Sequence, residues 1–567
     1  MNSSGSKILL SVAIAAAMAA ISYITASAAP VRQLRSAWIV TGLGLDWPQL
    51  TYTPDEQRES LDRMLDRIAA ANFNTVFIQL QIEGDVLWQS SLQPAAADVT
   101  GSPSMPMPYD VAAYAIEQAH QRGLDIYAVI NPLDVGSRGA AYRYADNPIP
   151  HPINDLPQRL VGSGRHMYIN PGTPDNIDYL RDLYAELIDN YDIDGIVIDR
   201  VEYPAGDFDD AATYADYRTA PQQPLEEWRR DNLDNIVTTV STLAEERRPG
   251  TKIILTVDGA SSTTDGLKSI PRYQELLDNG TIDYVVAKIY NRGTNGFSPT
   301  LESWIGTQYT PQTIMALTSE SGYNATTNLP LSRQIEMATD DADIPGIVIY
   351  RTSPITDTGH PMAAERYAAL RDDIFLTPAH VPPVPGWEKT TPAAPEMPKV
   401  ERDGHKREYV ISWDAPPLDA EATPIKYYTV YIARDGVTDV TDPHSELVHR
   451  VDTTEYVYPS DEEGLEFAIT AFDINGNESA PAFTGGAEGA YLDSRPYVFR
   501  FYADNLFVAA PKAIKRLEIF TMWGNRVKYI PVDAPEVTVE CGDLKGGVYV
   551  VHTIYTDGSS DTNKFIK

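Results

Sequence analysis

From residue 36 to residue 375, short apolar runs alternate with longer amphipathic stretches. Eight runs read as strands: 37–41, 75–80, 125–130, 195–199, 252–258, 283–290, 313–317 and 346–351. They are almost continuously apolar, the pattern of a parallel sheet covered on both faces. Between them, helical periodicity predicts helices over 54–71, 110–122, 174–190, 225–246, 270–279, 332–338 and 362–371. Thr173 stands where an N-cap is needed, ahead of an apolar face made of Ile177, Leu180, Leu183 and Leu187. Eight β/α units in this length predict an α/β fold, a (β/α)8 TIM barrel with loop insertions over residues 30–377. An open doubly wound sheet is the alternative, but no glycine-rich dinucleotide fingerprint follows the first strand.

The pattern changes on both sides of this region. Lys7 precedes an apolar run over 8–24, and Ala26-Ser27-Ala28 supplies small residues for cleavage, so residues 1–29 read as a signal peptide. Seven prolines between Pro378 and Pro398 predict a semi-rigid spacer over 378–399. Short alternating strands follow at 409–413, 427–433, 455–458 and 466–472, and again at 516–520 and 547–553, which predicts two small all-β sandwich domains over 400–490 and 491–567.

Composition narrows the choices. Hydrophobic residues make up 43% of the 567 and aromatics 10%, enough to fill several cores. Lys plus Arg is 45 against 79 Asp plus Glu, a formal charge of −34. A surface this acidic repels phosphate backbones, so nucleic acid is not an expected partner. The single cysteine, Cys541, allows no internal disulfide, and the 9 histidines show no metal-ligand spacing. Neither a metal nor another cofactor is expected. A monomer is.

Two resemblances concern the β-rich part. Ile411-Ser412-Trp413, Tyr428-Thr429-Val430-Tyr431 and the ending Ala471-Phe472-Asp473-Ile474-Asn475-Gly476-Asn477 resemble a fibronectin type III module. Ile519-Phe520-Thr521-Met522-Trp523-Gly524-Asn525, then Gly546-Gly547-Val548-Tyr549, Asp557-Gly558 and Lys564-Phe565-Ile566-Lys567 resemble a type IX secretion sorting domain. The second resemblance implies a Bacteroidetes-type host, export machinery as a partner, and a secreted, periplasmic or cell-surface destination.

In a barrel of this kind chemistry sits at the C-terminal ends of the strands. The polar residues there are Asp46 and Trp47; Gln79, Gln81, Glu83 and Asp85; Asn131 and Asp134; Asp199, Arg200, Glu202 and Tyr203; Asp258; Lys288, Tyr290, Asn291 and Arg292; Glu320; and Arg351. Carboxylates and carboxamides in this density suit a polyhydroxylated ligand, although strand-end carboxylates also pair with rim arginines for purely structural reasons.

Several segments resemble, in order and across the whole barrel, the glycosyl-hydrolase-like 10 family. They are Arg35-Ser36-Ala37-Trp38-Ile39 with Asp46-Trp47-Pro48, Asn74-Thr75-Val76-Phe77-Ile78-Gln79 with Gly84-Asp85, and Asn131-Pro132. Next come Asn170-Pro171-Gly172, Asp194-Gly195-Ile196-Val197-Ile198-Asp199 with Tyr203-Pro204, and Ile282-Asp283-Tyr284. The resemblance implies an exported glycan hydrolase, some of whose relatives act on peptidoglycan sugar strands. This chain departs from the family at Gln81, Asp134, Arg200, Lys288, Asn291 and Val129. That fits either a different glycan or a site that binds without cleaving.

Glycoside hydrolysis usually needs two carboxyl groups across the scissile bond. Asp199, at the end of a buried strand and pointing to the rim, is the first candidate, with Glu202 or Asp258 as its partner. Lys288 is placed to neutralise a carboxylate and so spoil it as an acid. Asp46, Trp47, Gln79, Gln81, Asp85, Asn131, Arg200, Tyr203, Lys288, Tyr290 and Asn291 are the expected sugar contacts. The alternative is a non-catalytic glycan-binding surface protein on a degenerate barrel.

Overall fold

The computed structural model describes residues 31–567 except 104, 138–146, 205, 263–268, 292–293, 320–328, 341–342, 388, 404–406, 418–422, 434–439, 441–444, 485–497, 503, 522–525 and 557–559. The expected leader, rim residues Arg292 and Glu320, and parts of the sorting-like motif (522–525 and 557–558) lie outside the described residues.

Eight parallel strands close into a barrel: Leu34–Ile39, Thr75–Gln79, Asp125–Ile130, Gly195–Ile198, Lys252–Asp258, Tyr284–Ile289, Thr313–Thr318 and Gly346–Tyr350. Each pairs with its neighbours in the chain, and the eighth closes on the first with Leu34 opposite Gly346. The expected barrel is present, with strand ends shifted by a few residues. The first strand ends early because the Asp46 carboxylate takes the Val40 N–H at 2.9 Å, removing it from the ladder.

Side chains alternate strictly between two cores, as the two-residue period of a strand requires. Val76, Ile78, Ile126, Ala128, Ile196, Ile198, Val285 and Ala287 pack outward against the helices. Trp38, Phe77, Tyr127, Val129, Val197, Ile254, Tyr284, Val286 and Ala316 fill the lumen. Gly195 shares the lumen phase, and a Cβ there would lie 3.0 Å from the Tyr127 ring, so the tyrosine occupies the space a side chain would need. The helices Pro54–Ala70, Val111–His120, Pro174–Asn190 and Leu225–Arg247 build the outer layer. Thr53 and Glu56 form a capping box on the first of them. Thr173 holds the N-cap position of Pro174–Asn190 but makes no side-chain cap bond.

An excursion that periodicity did not predict follows the third strand. Asp134–Ser137, Leu160–Ser163 and His166–Ile169 form a three-stranded antiparallel sheet.

The proline-rich stretch expected as a spacer closes the N-terminal end of the barrel. Val381 and Val384 enter the lumen core, Asn74 Nδ2 donates to the Ala379 carbonyl at 2.9 Å, and Trp387 Nε1 donates to Asp283 at 2.7 Å. Beyond it stand a three-stranded sheet (Glu396–Asp403, Glu408–Asp414, Glu455–Pro459) and a four-stranded sheet (Ser445–Val451, Ile425–Ala433, Glu466–Asp473, Ala482–Phe483). They share a core of Ile411, Trp413, Val430, Ile432, Phe467 and Ile469. A five-stranded sheet over Val498–Tyr502, Asn505–Thr521, Arg526–Glu540, Val548–Tyr555 and Ser560–Ile566 ends the chain. Among the described residues no helix is long and apolar enough to cross a membrane.

The first β pair docks on the barrel base through buried charge. Arg450 meets Asp125 at 2.5 Å, and Lys426 meets Asp194 at 2.7 Å and Asp125 at 3.3 Å. His120 Nε2 and the Ile126 N–H also bond Asp194. Burial opposes ionisation of both carboxylates, but Arg450 and Lys426 outweigh it: Asp125 is held below the usual carboxylate range and Asp194 well below it.

Candidate active site at the barrel mouth

The lumen phase, carried to the C-terminal ends of the strands, turns one set of residues into the mouth. Gln79, Asp199, Thr256, Asp258, Lys288 and Tyr350 lie on it or immediately past its last paired residue, as do Asn131 and Tyr290. Asp199 directly follows the fourth strand, its N–H still bonded to the Ile130 carbonyl at 2.9 Å. Its Oδ1 accepts from Thr256 Oγ1 at 2.5 Å and from Lys288 Nζ at 3.0 Å. The Asp199 side chain is 17% exposed and that of Lys288 19%. Burial works against the charge on Asp199. The Lys288 ammonium, the Thr256 and Lys288 hydrogen bonds and the more distant Arg200 overcome it and hold the carboxyl below its ordinary range.

Beside this carboxylate runs an aromatic wall. Tyr290 stacks on Tyr350 with ring centres 5.0 Å apart, and Tyr350 meets Trp38 edge-on at 5.5 Å. Tyr290 keeps 37% of its surface exposed, offering a flat face of the kind that packs on sugar rings. Burial, then the charge of Asp199, raises its phenol well above the ordinary value, so it stays protonated and able to donate.

A cavity of about 260 Å³ adjoins the mouth, lined by Asp134, Ser163, Gly164, Tyr168, Arg200, Glu202 and Pro204. Arg200 adopts a left-handed conformation (φ 56°) that turns the chain out of the fourth strand and puts Glu202 on the cavity wall. Asp134, buried, is held by the Gly136 N–H at 2.9 Å and by His166 Nδ1 at 3.0 Å, with Arg200 at 3.9 Å. Glu202 is exposed and makes no hydrogen bond or ion pair among the described residues. Asp258 is exposed too, but its Oδ1 accepts from the Ala260 N–H at 2.9 Å. Asn131 is buried and accepts from the Asp134 N–H at 3.4 Å. The Gln79 amide oxygen is buried without a hydrogen-bond partner among the described residues. Asn291 gives its carbonyl to Gln334 at 2.8 Å.

Other expected sugar contacts are placed elsewhere. Asp46 is buried and accepts from Val40 N–H, Ser353 N–H and Arg351, so it ties the first strand to the loop after the eighth. Trp47 lies in the outer core, its Nε1 donating to the Gln57 carbonyl at 2.8 Å. Gln81, 1% exposed, has its amide engaged by Gln93 and by the Tyr184 hydroxyl of the helical layer. Asp85 is buried 3.4 Å from His151. Tyr203 packs edge-on against Phe208 and under the Arg229 guanidinium.

Thr256, Tyr350, Ser163 and Tyr168 also line the candidate site and are absent from the residues that the sequence singles out. The strand phase was a usable signal for the first two. Ser163 and Tyr168 sit on the unpredicted excursion and had none. Among the described residues no three His, Cys, Asp or Glu side chains converge as a metal site.

The family profile described as glycosyl hydrolase-like 10 matches residues 33–327. The glycosyl hydrolase YngK of Bacillus subtilis (strain 168) is 24% identical over 446 residues, 72% of this chain and 84% of that protein. The glycosyl hydrolase DigH of Escherichia coli (strain K12) is 26% identical over 296 residues, 45% of this chain and 65% of that protein. Among solved structures, the glycoside hydrolase domain of PgaB (BpsB) from Bordetella bronchiseptica aligns over 60% of this chain and 98% of its own, with TM-score 0.44 and 16% identity.

Proposed function

Because the chain belongs to the glycosyl hydrolase-like 10 family, we propose that it is an exported hydrolase that cuts a polysaccharide or a peptidoglycan glycan strand at the barrel mouth. Such cleavage needs an ionised carboxylate facing the sugar and a carboxyl that protonates the leaving oxygen. Asp199, held ionised by Lys288 and Thr256, takes the first role. This is the observation that carries the reading. Glu202, on the cavity wall and without a hydrogen-bond or ion-pair partner among the described residues, takes the second. The bond from the anomeric carbon to the leaving oxygen breaks, that oxygen takes the Glu202 proton, and the hydroxyl of a water adds to the anomeric carbon. The remaining water proton returns to Glu202.

The test is product analysis on peptidoglycan glycan strands and a panel of plant and host polysaccharides. Wild type is expected to release new reducing ends, and Asp199→Asn to lower that release at least about 100-fold while binding persists. A second reading, glycan binding without cleavage, is favoured by the cations in the mouth: Lys288 on Asp199 and Arg200 immediately after it. Retention on an immobilised glycan with no reducing ends from either protein would select it.

A further inference from the structure

Resting on the reading of Asp199 as the ionised carboxylate, we propose that Lys288 and Thr256 act together as a positioning clamp that leaves one oxygen of Asp199 to face the substrate. The geometry is asymmetric. Both donors reach the same atom: Thr256 Oγ1 lies 2.5 Å and Lys288 Nζ 3.0 Å from Oδ1. Oδ2 has no hydrogen-bond partner among the described residues, and it is not one of the sealed polar atoms. Its lone pairs are therefore the ones available at the mouth.

The backbone explains why the clamp is rigid. Thr256 and Lys288 belong to adjacent paired strands, five and six of the barrel, with Val257 opposite Ala287 and Asp258 opposite Lys288. Asp199 follows the fourth strand, itself paired to the fifth with Ile198 opposite Leu255. Three neighbouring strands thus each hold one member in place. Lys288 stands level with Asp258 in the ladder yet reaches across to Asp199, its only ion-pair partner among the described residues.

A carboxylate held by one oxygen differs from one paired symmetrically. A bidentate cation would engage both oxygens and compete with the sugar for the charge. Lysine, a point charge, can compensate the aspartate while occupying a single oxygen. The other groups facing this carboxylate are Arg200, more distant, and the Tyr290 phenol, which stays protonated. Neither replaces the clamp.

The experiment reads the carboxyl itself rather than turnover. Full-length wild type, Lys288→Met, Lys288→Arg and Thr256→Val are treated at pH 5 with a carbodiimide and glycinamide, and amidation of Asp199 is followed by peptide mass spectrometry. The reagent attacks the protonated acid, so rate reports protonation. Asp199 in wild type is expected to label slowly, Lys288→Met about tenfold faster, Thr256→Val faster by a smaller factor, and Lys288→Arg close to wild type. Labelling of Lys288→Met at the wild-type rate, in a protein whose circular dichroism and melting are unchanged, overturns the clamp. Fast labelling of wild type overturns it as well. Where turnover is measurable, Lys288→Met also moves the acidic limb of kcat/KM to higher pH. A wild type that releases no reducing ends but shows the expected labelling pattern removes the hydrolase reading and leaves the clamp standing.

Discussion

At the mouth of the barrel one aspartate faces a lysine with both side chains partly open to solvent; at the base two aspartates face a lysine and an arginine under a covering sheet. Asp125 and Asp194 are 2% and 5% exposed, against 17% for Asp199. The same chemistry therefore does two different jobs. A half-open pair contributes little to stability because water screens it and long side chains pay entropy to hold it. What it does is hold the Asp199 carboxyl below its ordinary range. A sealed group of charges gains little net energy over an apolar core, yet losing one member strands the others without compensation. The base pairs thus make the barrel dependent on the first β module, while the mouth pair leaves the fold free and governs Asp199.

The contrast can be tested from its strongest side. Arg450→Met removes the cation nearest Asp125 and is expected to destabilise the protein by about 3–5 kcal/mol, measured by equilibrium denaturation. A cost below ~1 kcal/mol would mean that Lys426 alone compensates both aspartates.

A second effect, spread over pH, concerns His380 in the barrel-closing segment. It is buried, shares a 2.7 Å hydrogen bond with the Tyr431 hydroxyl, and burial pushes its imidazole down to about 3. The unfolded chain takes up this proton near pH 6.5 and the folded protein does not until about 3, so its contribution is complete above 6.5 and is lost as pH falls toward 3. The expected slope is at most about 1.4 kcal/mol per pH unit. Asp283, raised by burial to about 6, runs in the opposite direction, favouring the fold below about 4 and losing that favour as pH rises through 6. The difference between wild type and His380→Gln isolates the histidine, and identical pH profiles for the two would sink the assignment.

The smallest effect is expected at the mouth. Lys288→Met should change folding stability by no more than about 1 kcal/mol, since its pair is partly solvated. A loss comparable to that of Arg450→Met would erase the distinction between the two ends.

The sequence made the barrel legible because short, almost continuously apolar runs set between stretches of helical periodicity are a local signal that tertiary packing reinforces. In the folded strands the two-residue alternation puts Gln79, Asp199, Asp258 and Lys288 on the lumen phase, and it adds Thr256, two residues before Asp258 on the same strand. It fails more than one residue beyond the last paired one, where no barrel ladder fixes which way a side chain turns. Asp46 and Trp47 lie past that limit, and Gln81 pairs with Val86 in a separate short hairpin; instead of facing a sugar they are consumed by the Arg351 loop, the outer core and Tyr184. The proline-rich stretch misled for a different reason. Proline count describes stiffness, whereas the informative residues were Val381, Val384 and Trp387 among the prolines, apolar side chains that a free linker has no reason to carry.

The seam at the base also bears on inheritance. Asp125 and Asp194 come from the barrel, Lys426 and Arg450 from the sheet beneath it, and a Cβ at Gly250 would come within 2.8 Å of Ile474 across the same boundary. A recombination event that exchanged one module alone would bury charges of one sign or wedge the two surfaces apart. Barrel and first β module must therefore be passed on as a pair, whereas the loops around the mouth can be rewritten without reopening that joint.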